Sequence, residues 1–139
     1  MNSTDLFFSW VVDLKEHRLS AQNMEALYAM YQVCKFINQP AKYGPSLRCI
    51  MIDAIFKDYD SKFHKPWLSY SPAHRSISAG LKVDLDKILA ADFCESMNIY
   101  RNLIFEVLDQ VRDRVRNYDF EGLKADLQEA IRNETEVIR

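Results

Sequence analysis

From Met24 to Tyr31 the chain reads Met-Glu-Ala-Leu-Tyr-Ala-Met-Tyr, with one charged residue, straight after the polar run Ser20-Ala21-Gln22-Asn23. A helix that apolar cannot leave one face in water and has to be packed on most sides. Ser20 suits its entrance, because a side-chain oxygen there can accept from a first-turn amide that has no partner inside the helix. The helix is expected to stop before Gln39-Pro40, and Gly44-Pro45 completes a loop.

Three glycines and four prolines interrupt 139 residues, and period-two alternation is scarce. Few breakers with helical spacing predict an all-α chain. A first helix is expected over about Thr4 to His17, its apolar face formed by Phe7, Phe8, Val11 and Leu14. A third starts near Ser46 and carries Cys49, Ile52, Ile55, Phe56, Tyr59 and Phe63 at helical intervals until Lys65-Pro66 breaks it. Trp67-Leu68-Ser69-Tyr70 reads as a short extended link, and Ser71-Pro72 as the cap and first turn of a fourth helix. Asp92-Phe93-Cys94-Glu95 is a capping-box candidate. It launches a long helix with inner residues Phe93, Met97, Tyr100, Ile104, Val107, Val111 and Val115. Asn117-Tyr118-Asp119 and Gly122 are weak breaks before a last amphipathic helix with Leu123, Leu127 and Ile131. One domain over 1–132 and a charged tail over 133–139 follow from this reading.

Hydrophobic residues at 48% and charged ones at 27% describe a globular chain,. A net charge of −2 with mixed signs argues against a nucleic-acid partner, which needs a basic stripe. No apolar run is long enough for a membrane span, and the start lacks the basic region of a signal peptide. Cys34, Cys49 and Cys94 are odd in number and far apart, which favours reduced thiols and a cytoplasmic setting. His17, His64 and His74 are dispersed, so no metal site is expected. No Gly-rich phosphate loop and no Ser/His/Asp spacing is present, and no cofactor is expected. Tyr28, Tyr31, Phe56, Tyr59 and Trp67 read as core packing; Asp58, Asp60, Asp84 and Asp86 read as solvated faces or caps.

Over roughly Leu6 to Leu127 the chain resembles the RGS domains, regulators of heterotrimeric G-protein signalling. The resemblance lies in Arg18-Leu19-Ser20-Ala21-Gln22-Asn23 before the apolar run Met24 to Val33. It continues in Ile55-Phe56 to Tyr59, Leu68-Ser69-Tyr70 and Arg75, and then in Phe93, Ser96 and Ile99-Tyr100. It implies an orthogonal helical bundle that binds a Gα subunit and accelerates GTP hydrolysis by rigidifying the switch segments, with no catalytic residue of its own. The implied Gα-binding residues are Gln22, Asn23, Ser69, Arg75, Glu106 and Gln110. Gln22 stands where the family has Glu, and Arg18 where an acid is common. An all-α interaction module or scaffold without GTPase activation is the alternative. The resemblance also implies a cytoplasmic protein, held at the membrane surface through its partner. Separately, the stripe through Val107, Val111 and Val115 could pair with another chain.

Overall fold

Along Asp5–Asp13, Leu6, Phe8 and Trp10 point to one side and Phe7, Ser9 and Val11 to the other, and this stretch is a strand, β1, rather than a helix. The structure is a computed structural model, and it describes residues 5–13, 19–37, 42–57 and 65–136. Strand β2 (Cys49–Lys57) replaces the expected third helix, and β3 (Trp67–Ser71) and β4 (Ser76–Lys82) replace the expected link and fourth helix. The fold is therefore mixed α/β, and the all-α expectation is corrected. Tyr59 and Phe63 of the expected third helix lie outside the described residues, as do Leu14 and Arg18.

The sheet order is β1-β2-β4-β3. β1 pairs parallel with β2, Asp5 opposite Cys49, and β2 pairs parallel with β4, Ile50 opposite Ile77. β3 pairs antiparallel with β4, Trp67 opposite Gly80. Ser71-Pro72 heads the turn between them. Its closing hydrogen bond runs from the Arg75 amide to the Pro72 carbonyl (3.2 Å), with Arg75 at φ 51. A Ser-Pro pair starts a turn as readily as a helix, so this local signal does not separate the two.

The helical elements are α1 (Ala21–Phe36), α2 (Leu85–Ala90), α3 (Phe93–Val111), a 3-10 turn at Arg112–Arg114 and α4 (Phe120–Thr135). α1 lies on β1 and α3 on β2. The two helices pack together, and α4 covers both. The inner sheet residues Leu6, Phe8, Ile50, Ile52, Ala54, Phe56, Ile77 and Ala79 join Leu27, Met30, Met97, Ile104, Leu127 and Ile131 in one core. The stripe expected for the late helix is the observed one, and Phe93 through Val115 are all buried at those positions. Val107, Val111 and Val115 are thus core residues, and the pairing of that stripe with another chain is corrected.

Ser20 caps α1 as expected. Its oxygen accepts from the Asn23 amide (3.1 Å), while the Asn23 side chain accepts from the Ser20 amide (3.0 Å). Asp92 accepts from the Glu95 amide (2.9 Å) at the head of α3, and Asp84 from Lys87 (3.3 Å) at the head of α2.

Tyr100 is fully buried, its ring 5.7 Å from Phe8 and 6.2 Å from Phe56. Its hydroxyl has no hydrogen-bond partner among the described residues, and burial pushes its pKa well up. An unpaired buried hydroxyl is a liability. Tyr100→Phe should therefore raise stability by about 1 kcal/mol, read as a higher urea midpoint at unchanged slope. A loss of stability would mean that the hydroxyl is bonded.

Candidate interaction surface

Because side chains alternate along each strand, the residues between the core positions share the opposite side of the sheet. Following the register, Phe7, Met51, Ser78 and Ser69 form one row across four strands, and Ser9, Asp53, Gly80 and Trp67 form the next. Asp5, Cys49, Ser76 and Ser71 flank the first of these rows. Among the described residues no helix packs on this side, since α1, α3 and α4 all share the inner core. Phe7 is 46% exposed, Met51 44% and Trp67 38%. Strands joined by parallel crossovers are ordinarily covered on both faces; here these rows stay open among the described residues, while Ile55, one row further along β2 on this side, is fully buried.

The face is built rather than loose. Trp67 lies across Gly80, where a β-carbon would fall inside the indole ring, so only glycine admits it,. The indole N–H donates to Ser78 Oγ at 2.9 Å, which holds the ring against the sheet. Ser9 donates to the Asp53 carboxylate. Partial burial, and then the nearby Asp5 carboxylate, push the Cys49 thiol up, so it stays protonated and unreactive at neutral pH,.

A second exposed apolar stripe lies on the outer side of α1, through Tyr28 (57% exposed) and Tyr31, with the half-buried Met24 before them. Trp10 meets Tyr28 edge to face, ring centroids 5.2 Å apart. Of the aromatics expected in the core, Phe56 is buried, whereas Tyr28, Tyr31 and Trp67 face outward. Asp58 and Asp60 lie outside the described residues, as do His17, His64 and Tyr59.

The six residues that the RGS resemblance implied do not converge. Gln22 accepts from the Phe93 amide (3.2 Å), tying α1 to the head of α3. Beside it, Asn23 is fully buried and donates from Nδ2 to the Ile88 carbonyl (2.8 Å). Ser69 sits on the outer face of β3, opposite Ser78. Arg75 occupies the β3–β4 turn, where its backbone carbonyl accepts from Arg48 (2.7 Å) and its guanidinium donates to the Pro45 carbonyl (3.3 Å). On the outer side of α3, Gln110 donates to Glu106 (3.2 Å). Glu106 also rims a shallow groove of about 180 Å³ floored by Leu81, Val83, Ile99 and Leu103. Gln22 and Asn23 thus form one pair and Glu106 and Gln110 another, while the sheet stands between the helix layer and Ser69. Among the described residues no group of His, Cys, Asp and Glu side chains could hold a metal ion.

Phe7 reads from the sequence as the apolar face of a helix, and Met51 and Asp53 go unremarked, because β1 and β2 are largely apolar on both sides. Period two is visible only when one side is polar.

These features define a two-layer α/β protein whose outer sheet face is open among the described residues. The chain belongs to the Immunity protein 44 family, whose model matches residues 5–133. No curated protein and no solved structure matches it. The family overturns the RGS resemblance and, with it, the expected GTPase activation and Gα partner. The physical reason is plain in the fold. The landmarks Ile55-Phe56 and Leu68-Ser69-Tyr70, matched to a helix and a link of a bundle, lie on paired strands.

Proposed function

We propose that this protein is an immunity protein in the sense its family name carries: it binds a cognate protein toxin and blocks it. It acts as a stoichiometric inhibitor and performs no chemistry on its partner. The observation that carries this reading is the family match over residues 5–133. The exposed aromatic and methionine side chains support it, because Trp, Tyr, Phe and Met are the types enriched where protein partners dock. The free thiols of Cys34, Cys49 and Cys94 suit a reducing compartment, and we place the protein in the cytoplasm,.

The test is protection. Each candidate toxin encoded beside this gene is expressed in a host that it arrests, with and without this chain. Restored growth, together with an equimolar complex of the purified proteins, is the expected result. Continued arrest with both proteins soluble and no complex formed, for every candidate, overturns the proposal.

A further inference from the structure

We infer that the open face of the sheet is the toxin-docking surface, and that it receives a segment bearing an arginine, held between Asp53 and Trp67. This rests on the immunity reading for the identity of the partner and on the geometry for the place and chemistry of docking.

Asp53 stands on β2, an inner strand of the sheet, with Ser9 and Gly80 beside it in register and Met51 two residues before it on the same side. Its hydrogen bond from Ser9 uses part of a carboxylate's acceptor capacity of roughly four sites. The three rows from Asp5 to Trp67 hold two carboxylates, Asp5 and Asp53, and the first cation on this side is the exposed Lys82, one row beyond Gly80 on β4. Any partner covering Phe7 and Met51 also takes water from Asp53, and an ion stripped of water without a counter-charge is strongly unfavourable. No ion pair joins Lys82 to Asp53 among the described residues, so a partner that brings its own cation to Asp53 meets this demand best.

Trp67 selects which one. Its indole is pinned on Gly80, next to Asp53 in the same row, and stays 38% exposed. A planar guanidinium can stack on that ring and still present paired donors to the carboxylate, which a lysine ammonium cannot do. A second copy of this chain is a poorer occupant, because it would bring two carboxylates in these rows against the single nearby cation Lys82,. The three rows cover roughly 400 Å² in plan at strand spacings of about 4.8 Å. That is about half of one side of a standard interface, so the face supplies a central anchor rather than the whole contact. The α1 stripe competes less well, since Trp10 and Tyr28 already pack on each other.

The experiment measures affinity for the purified toxin identified by growth protection, using the full chain and three variants whose folding is checked by thermal melting. Asp53→Asn removes the charge and keeps the shape. Met51→Lys puts a cation where the arginine should arrive. Tyr31→Ala removes an exposed ring from α1. Asp53→Asn and Met51→Lys should each weaken binding by about 10-fold or more, with Tyr31→Ala near wild type. If the toxin binds wild type and both sheet variants equally, or only Tyr31→Ala loses affinity, the docking inference falls and the immunity reading stands. A wild-type dimer that Met51→Lys dissociates would make this face a self-interface and also overturn it. If no toxin binds the wild-type chain, the immunity reading itself has failed.

Discussion

Asn23→Ala is expected to lower the free energy of unfolding by about 2–4 kcal/mol, the sum of a lost helix cap and of buried carbonyls left without a donor. The residue does two jobs at once. Its carbonyl oxygen closes the capping box with Ser20 at the head of α1. Its amide nitrogen donates to the Ile88 carbonyl (2.8 Å) and lies 3.4 Å from the Ala91 carbonyl and 3.5 Å from Ser96 Oγ. One side chain therefore ties the entrance of α1 to the α2–α3 junction in a site closed to water. A fall in melting temperature of about 5–15 °C is the corresponding reading for a chain of this size. Asn23→Asp keeps the cap acceptor but turns a carboxylate toward the Ile88 carbonyl, so it should be at least as damaging at neutral pH. A loss under about 1 kcal/mol in the alanine variant, the level of a cap alone, would mean that the link to Ile88 contributes nothing.

Gly44→Ala should be as severe, at about 3–5 kcal/mol, because strain and collision act together. Gly44 has φ 124, a conformation that residues with a β-carbon rarely adopt,. An added β-carbon would collide with the Asn117 carbonyl oxygen. The obstacle is backbone, so no side chain can swing aside. The neighbours of Gly44 carry the ties that hold this loop to the approach of α4. The Asp119 amide donates to the Tyr43 carbonyl (2.7 Å), Ser46 donates to the Arg116 carbonyl, and the Tyr43 hydroxyl donates to Asp126 (2.6 Å). Hydrogen bonds from Lys42 and Tyr43 hold the Asp126 carboxyl below its usual range. Shifting the loop to admit a methyl group would disturb all of them. Urea unfolding should show a lowered midpoint with an unchanged slope, and a midpoint equal to wild type would contradict the assigned conformation.

The long helices α1, α3 and α4 were legible because their signals are local, whereas the short α2 was not. Ser20 and Asp92 cap by reaching three residues ahead. The stripe from Phe93 to Val111 repeats with the turn of a single helix, so neither signal depends on what the rest of the chain does. The strands were not legible, for the same reason reversed. Cys49, Ile52, Ile55 and Phe56 fall at helical spacing, yet Ile52 and Phe56 point to the core and Cys49 and Ile55 to the outer side. β4 alternates cleanly, Ser76-Ile77-Ser78-Ala79, but it follows a Ser-Pro pair that reads equally as a helix start.

The candidate surface was hidden by its own composition. Phe7 and Trp67 are apolar and read as core, and nothing within a few residues of either says that the described helices cover the other side. Local signals in the chain were enough to mark the heads of α1 and α3 and the buried stripes of α3 and α4, but not the outward turn of Tyr28 and Tyr31 on α1 or the family. That β1 lies beside a strand 44 residues further on, and that no described helix covers the outer rows of the parallel strands, follows only from the assembled fold. Pairing between distant segments is set by the assembled core and not by any local spacing. Which apolar residues end up inside, and which are left for a partner, is therefore settled only when the sheet has formed.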